Sequence, residues 1–120
     1  MTISNSVTTI DYNAFNACSS LTSVNIPNSV TIIGASTFSG CNSLTSVTIG
    51  TGITKIEEKA FYWLTNMNSI TIYATTPPTL EEDALYTNSC PIYVPSESVN
   101  AYKTAGGYWS SYSSRIQAIQ

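Results

Sequence analysis

At 120 residues the chain is one domain at most, and it is long enough to bury a core. Charged residues make up only 9% of it, against about 25% in ordinary soluble proteins, and polarity comes instead from serine, threonine and asparagine. Four basic residues within a net charge of −3 exclude a phosphate-neutralising nucleic-acid surface, no apolar run approaches the roughly 18 residues of a membrane span, and the lack of histidine removes every Ser-His-Asp or Cys-His nucleophile.

From the N-terminus onward the chain repeats itself every 23 residues. Val7, Val30 and Ile53 share that step, as do Ile10, Ile33 and Ile56, and Phe15, Phe38 and Phe61. Leu21, Leu44 and Met67 follow it too, with Val24, Val47 and Ile70, and Ile26, Ile49 and Ile72. Residues 6–11 alternate apolar and polar side chains and predict a short strand. Ala14 and Phe15, followed by Asn16, Ala17 and Cys18, predict a tight helical turn that drops the phenyl ring into the core. Residues 21–26 predict a second strand with Val24 and Ile26 inward and Ser23 and Asn25 outward. Pro27 ends it, because proline has no N–H for a strand ladder. Repeats two (29–51) and three (52–75) restate these parts.

A period in the twenties with an L-x-x-V-x-I core reads as a leucine-rich solenoid. One repeat cannot bury its apolar face alone, so stacking is obligatory. The fold class expected is therefore mostly β with short helical turns, a right-handed leucine-rich-repeat solenoid with a C-terminal cap. Phe15, Phe38 and Phe61 are expected to stack through its interior. Residues 1–75 form the repeats, the first truncated at its N-terminus, and 76–120 a degenerate repeat plus cap, within one structural domain. Met1 falls at a strand position inside a repeat, which predicts a piece of a longer array, so a missing signal peptide carries no weight. Ile3, Val7, Ile10 and Phe15 would then lie near an open edge prone to end-to-end self-association.

After Thr75 the pattern changes. Thr76, Pro77, Pro78, Thr79 and Leu80 predict an extended crossing in place of a strand, and Ala84-Leu85 stands one residue late against Ala60-Phe61. Residues 92–95 restore the strand-then-proline signature, and Ser96 is expected to cap a short amphipathic helix carrying Val99 and Tyr102. A last strand is expected over 115–119. Tyr102, Tyr108, Trp109 and Tyr112 are expected to close the end of the core.

Cys18 and Cys41 lie one period apart with Leu64 next in the column, which predicts buried free thiols. A disulfide between them is the alternative; strand spacing permits it but parallel Cβ vectors disfavour it. Cys90 lies outside the column and is expected to be unpaired. Zinc is disfavoured by the lack of histidine and of any C-x-x-C pair, and no cofactor is implied.

Residues 29–34, 38–43 and 44–49 resemble the repeat of BspA-like leucine-rich repeat proteins, L-T-S-V-T-I-P-x-S-V-T-x-I-G-x-x-A-F-x-G-C-x-S, almost letter for letter. Residues 92–103 with Trp109 are similar to that family's C-terminal closure. The resemblance implies secreted or surface-attached bacterial proteins, located at the cell surface, that adhere to host matrix proteins, host cells or other bacteria. It supplies no catalytic residue and no fixed binding motif. Repeat three departs from the pattern: Leu64 replaces cysteine, Met67 replaces leucine, and Tyr62-Trp63 replaces a small Ser-Gly pair.

The acidic groups Glu57-Glu58 and Glu81-Glu82-Asp83 could be paired glycosidase carboxylates or a calcium loop, but the spacing fits neither well. They are expected instead to favour the starts of helical turns and to pair with Lys55 and Lys59. Ser98 and Lys103 miss the S-x-x-K spacing, so an enzyme is not expected. The candidate binding residues are the outward strand positions Ser23, Asn25, Ser46, Thr48, Ser69, Thr71 and Tyr93, with Trp63 and Tyr73. The function expected is a non-catalytic extracellular protein-binding or adhesion module. The alternatives are a structural spacer presenting another domain, or a glycan-binding module acting through Trp63 and the tyrosines.

Overall fold

The computed structural model describes residues 1–119. Each 23-residue repeat makes one coil of backbone, and successive coils stack with equivalent residues side by side. In chain order the strands are β1 (Thr9–Ile10), β2 (Ser23–Ile26), β3 (Ile32–Ile33), β4 (Ser46–Ile49), β5 (Lys55–Ile56), β6 (Ser69–Ile72), β7 (Thr79–Leu80), β8 (Ile92–Val94) and β9 (Ile116–Ala118). They form two sheets, β1-β3-β5-β7 and β2-β4-β6-β8-β9, parallel throughout. Alternation explains the strands: in β2, Val24 and Ile26 are buried while Ser23 and Asn25 face solvent.

A third wall of turns joins each short strand to the next long one. Its amides alternate between two kinds of bond. Ala14 and Asn16 donate locally, to Asp11 and Asn13, while Asn13, Phe15 and Ala17 donate to Ala35, Thr37 and Ser39 of the next coil. This is the form taken by the helical turn expected at 14–18. Half its donors serve the turn and half weld adjacent coils, so every coil is hydrogen-bonded to its neighbour on three sides.

The apolar columns meet inside. Phe15 and Phe38 stack with centroids 5.3 Å apart, Phe38 and Phe61 with centroids 5.0 Å apart, all three rings nearly parallel. Phe38 and Phe61 are fully buried, and Phe15 at the first coil is half-buried. Cys18, Cys41 and Cys90 are free thiols. The Cys41 thiol donates to the Phe15 carbonyl at 3.2 Å, and burial pushes its pKa up, so the column holds cysteine as a small neutral hydrophobe. Residues 1–3 lie against β2, with the Asn25 amide donating to the Met1 carbonyl at 3.0 Å. Ile3, Val7, Ile10 and Phe15 line a shallow apolar depression of about 250 Å³ at this end.

The segment after Thr75 corrects two expectations. The double proline does not replace the strand: β7 follows it directly and pairs with β5, Lys55 to Thr79 and Ile56 to Leu80. The prolines precede the first ladder amide, that of Thr79, which donates to Thr54 at 2.8 Å, so their missing N–H groups cost no pairing. The added residue is recovered one strand later, where Ile70 pairs with Ile92. Ser96 does not cap a helix through its side chain. It opens a 3₁₀ turn (Ser96–Ser98) leading into helix α1 (Val99–Lys103), neither with a side-chain cap. The hydroxyl that is put to use is that of Ser98, which donates to the Thr75 carbonyl at 2.8 Å and ties the cap to the last regular coil.

A nine-residue 3₁₀ helix, Gly107–Arg115, runs from the cap into β9. Its Trp109 and Tyr112 rings point into the core with Tyr102 from α1. Tyr102 and Trp109 meet edge to face at 5.1 Å. Each polar tip is satisfied: the Tyr102 hydroxyl donates to the Ala74 carbonyl and the Trp109 indole N–H to the Pro78 carbonyl, both at 2.8 Å. Tyr108 departs from the expected closing set, because its neighbour Trp109 takes the inward direction and leaves Tyr108 facing solvent at 51% exposure.

Two predictions follow from this packing. Phe38→Ala removes the middle ring of the stack and is expected to lower unfolding free energy by about 3–5 kcal/mol, with Phe15→Ala costing less because that ring is half-exposed; urea titrations measure both. Burial raises the Tyr102 pKa well above its ordinary value, so the folded state resists ionising a phenol that the unfolded chain ionises near pH 10. The stability this neutral phenol supplies is therefore present below about pH 10 and lost as pH rises beyond it. The stability gap between wild type and Tyr102→Phe is expected to narrow between about pH 9 and 11; a constant gap would refute the assignment.

Candidate functional site

The outer face of the five-stranded sheet carries two in-register files. Ser23, Ser46 and Ser69 make one, and Asn25, Thr48, Thr71 and Tyr93 make the other, continued by Gln117 of β9. Ser23 and Asn25 are exposed; Ser46, Thr48, Ser69, Thr71 and Tyr93 are half-buried by their neighbours in the file. No charged residue belongs to either file.

Tyr73 stands at the rim of this face, directly after β6. Its amide donates to Ile49, as the Gly50 amide donates to Ile26, so the two residues are equivalent corners of successive coils. Gly50 is small by necessity: a Cβ there would strike the Asn28 side-chain oxygen and lie within 2.8 Å of the Asn28 backbone. The tyrosine at the next corner turns outward and is 45% exposed. Asn25, Thr48 and Tyr73 come together around a shallow depression of about 320 Å³ that also includes Gly50.

Trp63 is on a different surface, the turn wall. Ala17, Gly40 and Trp63 occupy one column and all adopt left-handed backbone, with φ of 58°, 77° and 62°. Such a backbone favours glycine, and a tryptophan there is held at a cost of about 1 kcal/mol. The ring gains little burial in return, since it is 56% exposed. It stacks on Tyr86 at 5.7 Å, and Tyr62 packs beside both, at 6.0 Å from Trp63 and 5.2 Å from Tyr86. Lys59 places its ammonium 5.2 Å from the Tyr62 ring.

Glu57 and Glu81 open the third and fourth turns, as expected, with the Ala60 and Ala84 amides donating to their carbonyls; the side chains act there through direct contacts. Lys55 Nζ sits 3.5 Å from Glu57 and 3.3 Å from Glu81, and Glu81 accepts the Glu58 amide at 3.1 Å. These partners hold the Lys55 pKa up, through Glu81 first, and the Lys55–Glu81 pair is a solvent-exposed clip between coils three and four. Lys59 joins the aromatic group instead.

A groove of about 550 Å³ opens between the fourth turn wall and the 3₁₀ helix of the cap. Glu82, Asp83, Tyr86 and Thr87 line one side; Tyr108, Ser111 and Arg115 line the other. Arg115 is fixed there, its guanidinium donating to the Cys90 carbonyl at 2.7 Å and the Thr87 hydroxyl at 2.9 Å and lying 5.5 Å from the Tyr112 ring. The periodicity gives no sign of this groove, because one side belongs to the non-repeating cap. The spacing of Trp109 and Tyr112, three apart on one helical face, is the signal that would have turned Tyr108 outward.

A stack of in-register parallel coils closed by a non-repeating cap is a solenoid repeat module. The family model of the BspA type leucine-rich repeat region (6 copies) matches residues 1–101, and the chain belongs to that family. The match ends inside α1, leaving the 3₁₀ helix and β9 outside it. A comparison with curated proteins finds no match. Leucine-rich repeats of this type are interaction modules, typically non-catalytic, and the family is associated with bacterial surface proteins.

The left-handed column separates a structural from a functional role for Trp63. Trp63→Gly relieves the backbone cost and forfeits the stack on Tyr86, two terms of about 1 kcal/mol each that oppose one another, so urea unfolding is expected to change by less than about 1 kcal/mol. A loss above about 2 kcal/mol would make Trp63 a residue of the fold.

Proposed function

We propose that the chain is an extracellular, non-catalytic adhesion module that binds a protein of a host or neighbouring cell through the outer face of the five-stranded sheet. The observation that carries this reading is the pair of continuous, uncharged files, one across three strands and the other across four, with the Tyr73 ring at their rim. Stacked repeats present extended surfaces of this kind to partners, and an exposed tyrosine supplies contact area at low entropic cost. A face without charge has no long-range field to steer association, so contact depends on hydrogen bonds and close packing. The Ser, Thr and Asn side chains provide both donors and acceptors for that purpose.

The test is binding of the protein to a panel of purified extracellular-matrix proteins and to whole host cells by surface plasmon resonance and adhesion assay. Thr48→Lys places a long charged chain in the middle of one file, between Asn25 and Thr71, and Tyr73→Ala removes the rim ring. Each is expected to weaken binding about tenfold or more with the melting temperature unchanged. Binding of the wild type is expected to vary little between roughly 50 and 500 mM salt, where a charge-steered contact would fall steeply. Full binding by both variants would overturn the assignment of this face.

A further inference from the structure

We propose that the groove between the fourth turn wall and the cap is a saccharide-binding site that takes a neutral sugar unit of one or two rings. The end of the array leaves backbone hydrogen bonds open. In the first three turn walls, alternate amides donate to the next coil: Asn13 to Ala35, Ser36 to Glu58 and Lys59 to Glu82 in one column. In another, Ala17 donates to Ser39, Gly40 to Tyr62 and Trp63 to Tyr86. In the fourth wall these places belong to Asp83 and Thr87, and the next element is the 3₁₀ helix Gly107–Arg115, whose backbone turns inward on itself and supplies no ladder. Among the described residues neither the Asp83 nor the Thr87 amide donates a hydrogen bond. Two backbone donors therefore border a groove of about 550 Å³, a volume suited to a small ligand.

The remaining lining selects the chemistry. Glu82 and the Asp83 carboxylate offer acceptors beside those donors, which repels an anion. Arg115 already fills the place of a cation, pinned to Cys90 and Thr87 and set against Tyr112, so a second positive charge is disfavoured. A ligand matched to adjacent donors and acceptors without net charge is a polyhydroxyl compound. Tyr86 and Tyr108, 43% and 51% exposed, face the same groove and present flat apolar rings, the complement of the C–H face of a pyranose. Tyr86 is steadied by its stack on Trp63, which gives the column-breaking tryptophan a place next to this site. None of the groove residues belongs to the two files of the sheet face, so the site is independent of the protein-binding reading above.

The experiment is an amide-resolved NMR titration of the chain with lactose, maltose, chitobiose and mannobiose, alongside a tetralysine peptide. Saturable shifts with at least one sugar, centred on Asp83, Tyr86, Thr87 and Tyr108, are the expected result. Tyr108→Ala, an exposed position that does not support the core, is expected to weaken that sugar about tenfold with an unchanged melting temperature, and Tyr86→Ala is expected to do the same. Thr48→Lys on the sheet face is expected to leave sugar binding intact. Shifts with tetralysine and with none of the sugars would overturn the proposal in favour of a cation site. No shift with any probe, or sugar shifts mapping elsewhere, would overturn it outright.

Discussion

Every part of this molecule depends on one constraint: a coil of backbone satisfies its own hydrogen bonds and covers its own apolar face only by lying in register on the next coil. Its strands are two to four residues long, far too short to be stable as isolated elements. Parallel pairing with the same residues one coil away supplies the ladder, and the alternate amides of the turn wall supply a third line of bonds. The side chains follow the backbone. Because equivalent residues meet, a column keeps one polarity, and Phe15, Phe38 and Phe61 stack face over face for that reason. The column of Cys18, Cys41 and Leu64 obeys the same rule with apolar groups of different chemistry.

Such a stack must end, and its end is chemically different from its middle. A regular coil in the fifth position would present another open face. The cap instead spends three aromatic side chains, Tyr102, Trp109 and Tyr112, on closing the core, and it directs the polar tips of Tyr102 and Trp109 to the carbonyls of Ala74 and Pro78. β9 then continues the larger sheet in register, so the sheet extends one strand beyond the regular coils. The turn wall has no such continuation. The difference between the two sides, one continued and one interrupted, is what opens the groove beside Asp83 and Thr87.

The third coil shows a second kind of departure. At two corners where the second coil holds Gly40 and Gly50, it holds Trp63 and Tyr73, both exposed. Neither ring covers enough core to justify its position by burial, and Trp63 sits on a backbone that glycine would adopt at lower cost. Large side chains turned outward at such corners are the feature on which the proposed contact surfaces rest. They serve different faces, Tyr73 the rim of the sheet and Trp63 the turn wall, so a single coil contributes to two surfaces at once.

The 23-residue spacing by itself determined the coil, the inward set, the phenylalanine stack and the two outward files, because stacking in register turns an interval in sequence directly into a neighbour in space. The exchange of Ser-Gly for Tyr62-Trp63 was equally legible, as a break in a column. Where the period failed, legibility failed with it. The double proline hid β7, because proline is read as a strand breaker while here it stands before the first ladder amide. The direction of Tyr108, the role of Ser98 and the grip of Arg115 on Cys90 and Thr87 join segments with no repeating relation, set only by how the cap settles on the last coil. The groove is the clearest case. Its two sides lie more than twenty residues apart, and its free amides are defined by a neighbour that is missing from the ladder, which only the tertiary structure decides.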